Sequence, residues 1–142
     1  MILVDSSVWI DYFRDADTPQ VELLDRLLGR THLAVGDLII AEVLQGVRGA
    51  KEFQLVRETL ACFVQIDLAG KTIAIKAAEN FRLLRAKGLT VRKTIDVIIA
   101  THCIENNLSL LHCDRDFLPF AEHLGLIMVD EVAGLPSAAD LP

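Results

Sequence analysis

The chain has 142 residues, 52% of them apolar, with a formal net charge of −6 and a mean hydropathy of +0.39. That length fits one domain with a buried core, and no run reaches the ~18 uninterrupted apolar residues of a membrane span. The acidic balance excludes a uniformly basic nucleic-acid binder, but not a protein that grips phosphate along a local basic strip.

Met1-Ile2-Leu3-Val4 is apolar, lacks a basic leader and meets Asp5 at once, so no secretory signal is expected and the protein is expected to be cytoplasmic. Ile2 to Val4 reads as a buried strand. Ser7 is expected to cap a helix bearing Val8, Trp9, Tyr12 and Phe13. Thr18-Pro19 is an N-cap and first-turn pair for a helix with Val21, Leu24, Leu27 and Leu28 on one stripe. Leu33 to Val35 is a second strand, and Asp37 caps a helix from Leu38 to about Val47.

Helical spacing resumes over Lys51 to Cys62, Val64 to Leu68 forms a strand, and a long helix from Lys71 to Lys87 stops at Gly88. Thr94 caps a helix from Ile95 to about Glu105. Leu108 to His112 is a strand, Asp114 caps a helix through Phe117 and Phe120, and Leu126 to Val129 is the last strand. Short apolar strands alternating with helices predict an α/β fold, a three-layer α/β/α sandwich on a mainly parallel sheet. Residues 1–131 read as one domain, and 132–142, with Gly134, Pro136 and Pro142, as a loose tail. The apolar excess predicts a covered face, either between two copies or under a partner.

Cys62, Cys103 and Cys113 are an odd number without C-x-x-C spacing and read as reduced core thiols. The neighbours His102-Cys103 and His112-Cys113 lack the spacers of a structural zinc site.

Acids carry the chemistry. In a parallel sheet, ligands bind beyond the carboxyl ends of the strands, which is where Asp5 and Asp114 fall. Each has a plainer role, Asp5 as a turn former and Asp114 as an N-cap. Glu42 sits inside Leu38-Ile39-Ile40-Ala41-Glu42-Val43-Leu44, where a bare carboxylate is costly to desolvate unless a cation compensates it or it points into a wet cleft. Asp96 follows Thr94 in the first turn of an apolar helix. The helix dipole alone accounts for an acid there, yet the run beyond it is too apolar for a solvent-facing helix. Asp116 is either a helix-start acid or a further ligand. Clustered carboxylates suit the hard ions Mg²⁺ and Mn²⁺, and such a site hydrolyses phosphodiesters.

Ile2-Leu3-Val4-Asp5-Ser6-Ser7-Val8-Trp9-Ile10-Asp11, Glu42 in mid-helix, Thr94-Ile95-Asp96 with Ile99-Ala100 after it, and Asp114-Arg115-Asp116-Phe117 after a strand together resemble the PIN-domain family. The resemblance spans nearly the whole chain and is nearest to the VapC-type toxins of bacterial toxin–antitoxin pairs. It implies that Asp5, Glu42, Asp96 and Asp114 form a metal site, with Asp116 as an additional ligand and Ser7 or Thr94 in support through hydroxyl hydrogen bonds. It further implies a metal-dependent endoribonuclease, typically dimeric, held inactive by an antitoxin whose C-terminal segment crosses it. His112 and Cys113 stand where small or hydroxyl residues are more usual.

Arg82, Arg85, Lys87, Arg92 and Lys93 form the densest basic stretch and lead into Asp96, so they are candidates for RNA phosphate contacts beside a plainer role as a solvated helix face. Arg115, between Asp114 and Asp116, is expected to hold ligands through a salt bridge or to touch phosphate. Phe13 is expected in the core, and Trp9 and Tyr12 against an antitoxin helix. Alternatives are a non-toxin RNA-processing nuclease and a catalytically silent RNA- or protein-binding scaffold. A phosphatase of the haloacid-dehalogenase type would need an acid where Ser7 stands, and a response-regulator receiver would need paired acids near the first strand and a late lysine.

Overall fold

The computed structural model describes residues 1–129. Five parallel strands, β1 (Ile2–Val4), β2 (Leu33–Gly36), β3 (Val64–Ile66), β4 (Ser109–Leu111) and β5 (Ile127–Met128), lie in the order β3-β2-β1-β4-β5. Parallel neighbours require crossovers, and helices provide them. They are α1 (Ser6–Phe13) and α2 (Pro19–Leu27) after β1, and α3 (Asp37–Gln45) and α4 (Ala50–Leu60) after β2. After β3 come α5 (Lys71–Ala86) and α6 (Thr94–Asn106), and after β4 a 3₁₀ turn (Arg115–Phe117) and α7 (Leu118–Leu124). The three-layer α/β/α sandwich expected from the sequence is the fold. The expected tail, 132–142, lies outside the described residues.

The strands are short because each supplies only a few residues to a sheet covered on both faces. Leu3, Val4, Leu33, Ala34, Val35, Leu110 and Leu111 are all buried. The most enclosed helix is α6, which buries Val97, Ile99, Ala100, Thr101, His102 and Cys103 around most of its circumference. Its polar members are satisfied: Asn80 of α5 donates to Thr101 Oγ1 at 3.1 Å, and His102 Nδ1 donates to the Leu68 carbonyl at 3.1 Å. None of the described helices is long and apolar enough to cross a membrane.

Three helix starts differ from the sequence expectation. Asp5 rather than Ser7 caps α1, accepting the Ser7 N–H, so the helix begins at Ser6. Gly36 precedes α3, and Asp37, its first residue, instead uses Oδ1 to accept N–H bonds from both Leu38 and Leu68 at 2.9 Å. Lys93 precedes α6 in extended conformation without a side-chain cap, which leaves Thr94 as an exposed first helical residue. Thr18 does cap α2 as expected, accepting from Val21 N–H at 3.1 Å. Phe53 and Leu55 of α4 are exposed, and of the three cysteines expected in the core Cys103 is buried while Cys62, just after α4, and Cys113, in the turn after β4, are exposed.

Gly36 joins β2 to α3 at ordinary negative φ, so what it lacks is a side chain rather than conformational freedom. A Cβ there would overlap Leu68, which is fully buried. Gly36→Ala is therefore expected to destabilise the protein by about 1–3 kcal/mol through overpacking. Chemical denaturation measures this, and an unshifted midpoint would mean that Leu68 moves aside freely.

Candidate metal centre

The order in which strands are added switches side at β1. The chain moves outward from β1 to β2 and β3, then returns to place β4 on the other side, which makes the β1–β4 seam the switch point of the sheet. The carboxyl ends of both strands open there, and a hydrogen bond from Asp5 N–H to the Leu111 carbonyl at 2.9 Å holds them together.

Four elements deliver acids to this seam. Asp5 leaves β1, Glu42 comes from α3, Asp96 from the first turn of α6, and Asp114 and Asp116 from the turn after β4. Oxygens of Asp96, Asp114 and Asp116 lie within 4.8 Å of one another, and this group contains neither cysteine nor histidine. Asp5 and Glu42 stand outside that triplet but share its field. Asp96 feels the charges of Asp5, Asp114 and Glu42, and Glu42 feels those of Asp5 and Asp114.

Asp5 is 3% exposed and Asp96 4%, so both carboxylates are held almost out of water. Burial, followed by the charges of Asp5 and Asp114, pushes the Asp96 carboxyl up to about 7. Burial also raises Asp5, against the opposing effect of its hydrogen bonds from Ser7, and raises Glu42, with Asp5 as the next cause. Hydroxyls restrain two of these acids. Ser7 Oγ donates to Asp5 Oδ2 at 2.6 Å, and Ser6 Oγ donates to Glu42 Oε1 at 3.2 Å.

What remains unsatisfied is informative. Asp5 Oδ1 and Asp96 Oδ2 are buried with no hydrogen-bond donor among the described residues. An orphaned anionic oxygen in a dry site is expensive, and two of them beside further carboxylates fit a hard divalent cation bound through oxygen. The residues present therefore suit a hard divalent ion held by carboxylates, and they do not suit zinc held by thiols.

The Ser7 oxygen that donates to Asp5 also accepts the Cys113 N–H at 3.1 Å, which ties α1 to the turn after β4. Thr94 forms no hydrogen bond to the acids among the described residues, and α6 begins at it rather than after it. Its place is the mouth of an apolar cavity of about 350 Å³ between α5 and α6, with Arg82 and Arg85 on the rim. Ser6, which the sequence reading passed over, supports Glu42. The signal was there in the second hydroxyl after β1, but only the position of α3 shows which acid it meets. Arg115 is exposed and forms no ion pair among the described residues, so the expected salt bridge is absent.

The basic residues Arg82, Arg85, Lys87, Arg92 and Lys93 are all exposed. Lys93, the last residue of the stretch, is close enough to lower the proton affinity of both Glu42 and Asp96. Trp9 is fully buried, its ring 5.0 Å from Phe63 and 5.9 Å from Phe13. It is a core residue and cannot be an accessible partner contact. Tyr12 and Phe13 are half-buried and line a cleft of about 560 Å³ whose rim carries Asp15, Asp17, Glu22 and Asp25.

Comparison with known proteins gives a consistent likeness. The family description "PIN domain" matches residues 2–122. Ribonuclease VapC11 of Mycobacterium tuberculosis is 28% identical over 119 residues, which cover 82% of this chain and 89% of the relative. VapC ribonuclease Mb1587 of Mycobacterium bovis shows the same identity and coverage. Among solved structures, VapBC2 of Rickettsia felis bound to a promoter DNA fragment superposes with a TM-score of 0.70 at 20% identity, over 91% of this chain and 98% of that one. VapC20 of Mycobacterium tuberculosis, described as a toxin that cleaves the sarcin–ricin loop, gives 0.64 at 14% identity, over 83% and 93%.

Proposed function

The chain belongs to the PIN-domain family, and from that premise we propose that it is a divalent-metal-dependent endoribonuclease acting as the toxin of a toxin–antitoxin pair. The observation that carries this reading is the cluster of Asp96, Asp114 and Asp116, with Asp5 and Glu42 near enough to feel the same charges and orphaned buried oxygens on Asp5 and Asp96.

Asp5, Glu42, Asp96 and Asp114 are the proposed ligands, with Asp116 beside Asp96 and Asp114, and the ion is Mg²⁺ or Mn²⁺. When bound, the ion supplies neutralisation of phosphate charge and a more acidic water for attack on phosphorus. The protein supplies the rest. Ser7 and Ser6 fix the directions of Asp5 and Glu42, and the buried floor excludes bulk water around Asp5 and Asp96. Lys93, with Arg92, Lys87, Arg85 and Arg82 behind it, guides the RNA backbone toward the acids. Arg115, exposed at the same turn, is free to meet phosphate.

The proposed domain is residues 1–131, working in the cytoplasm as a homodimer restrained by an antitoxin. Exposed apolar side chains on α4 (Phe53, Leu55) and α5 (Ile75, Leu83) offer faces for such partners, and Tyr12 is the remaining aromatic candidate for antitoxin contact. The VapBC name of the Rickettsia felis structure favours a protein partner of this kind.

The test is RNA cleavage by purified protein with Mg²⁺ or Mn²⁺ added or chelated. Cleavage is expected only with the metal. Undiminished cleavage after chelation removes the proposal. Growth arrest on expression, relieved by the neighbouring open reading frame, separates a toxin from a processing nuclease.

A further inference from the structure

The ring of His112, just past β4, is fixed on three sides. Its Nδ1 accepts the Asp114 N–H at 3.1 Å, its Nε2 lies 2.9 Å from Met128 Sδ on β5, and its centroid is 4.9 Å from that of Phe117, which is fully buried. A ring nitrogen that accepts an N–H holds no proton of its own. The neutral ring therefore carries its hydrogen on Nε2, facing a thioether that accepts weakly.

The turn that follows is built from such bonds. Cys113 N–H donates to Ser7 Oγ, Asp116 N–H to Asp114 Oδ1 at 2.9 Å, and Phe117 N–H to the Asp114 carbonyl at 3.3 Å. Among the described residues the His112 bond alone restrains the peptide nitrogen of Asp114, whose carboxylate meets Asp96 and Asp116 within 4.8 Å. A side-chain acceptor that takes the N–H two residues on is the pattern that asparagine and aspartate use in turns, here formed by an imidazole.

We propose that His112 Nδ1 is a positioning group that sets the turn presenting Asp114 and Asp116 to Asp96, so that metal affinity depends on that one ring nitrogen. This rests on the metal-centre reading above. The ring is itself none of the proposed ligands. It acts through the backbone of a ligand, and losing an outer partner of this type costs about 10–100-fold in metal affinity.

Asparagine can place its Oδ1 where Nδ1 lies, glutamine reaches only toward the Nε2 position, and leucine keeps bulk without an acceptor. Mn²⁺ titration calorimetry on the whole chain is therefore run with the parent, His112→Asn, His112→Gln and His112→Leu, each first checked for its metal-free melting temperature. His112→Asn is expected within about threefold of the parent, and the other two about tenfold weaker or more. If His112→Leu does not fold, the Asn and Gln variants decide the matter. Asn binding as weakly as Gln would mean that the ring acts by packing, and Gln binding as well as the parent would mean that the nitrogen is idle. Either result overturns the proposal while leaving the metal centre standing. A parent that binds no Mn²⁺ ends both.

Discussion

Asp96→Asn is expected to abolish RNA cleavage, by about a thousandfold or more, while the metal-free protein stays folded and becomes more stable at neutral pH. The rate effect follows from removing an anionic ligand. An ion at a phosphoryl centre supplies several kcal/mol of transition-state stabilisation, and each ~1.4 kcal/mol lost is a factor of ten. The stability effect has the opposite sign because the same carboxylate is a burden to the empty fold. Its acid is pushed up to about 7 by burial and by the charges of Asp5 and Asp114, so ionisation is disfavoured in the folded chain relative to the unfolded one. Asparagine keeps the shape without the charge. The expected gain is a few kcal/mol at most, from about 1.4 kcal/mol per pH unit of displacement. RNA cleavage assays and thermal melting of the same preparation measure the two effects. Full cleavage by the variant removes Asp96 from the site, and a variant that unfolds would assign Asp96 a structural role instead.

How much of this was legible in the sequence depended on whether a residue's role is set locally or across the fold. The strand Ile2–Val4 and helix α6 were readable because an apolar run of given length and period has few ways to be buried. Glu42 and Asp96 stood out for a similar reason, since an acid inside such a run needs compensation wherever the chain goes. Roles decided in three dimensions were not readable. Trp9 is core because Phe63, from the loop before β3, packs on it. Thr94 does not cap α6, which starts one residue earlier than expected, and it lines the cavity between α5 and α6. Asp116 had two equal readings until the turn after β4 brought it within 4.8 Å of Asp96 and Asp114. The role of His112 was unreadable because nothing in its sequence neighbourhood shows that it accepts the N–H of Asp114.

The same displaced acid gives metal binding a defined dependence on pH. In the unfolded chain Asp96 ionises near the ordinary value of about 3.9, and in the metal-free fold near about 7. For an acid raised in this way the unfolded chain releases its proton first. Metal-free stability should therefore be highest below about pH 4 with respect to this group, decline as pH rises, and level off above about 7. A divalent ion needs the carboxylate, so binding below about 7 must displace a proton, and affinity falls tenfold per pH unit there. Between about pH 7.5 and 5.5, Mn²⁺ affinity should weaken by roughly 20–30-fold through Asp96 alone, and Asp5 and Glu42, raised in the same direction, add to the fall. Calorimetry in buffers of different ionisation enthalpy counts the protons released, and about one is expected near pH 6. Asp96→Asn should retain weaker binding with a visibly flatter pH profile. A dissociation constant that does not change over this range, with no proton released, would mean that the acids at the β1–β4 seam are ionised before any metal arrives, and that water or Lys93 already compensates what the fold leaves orphaned.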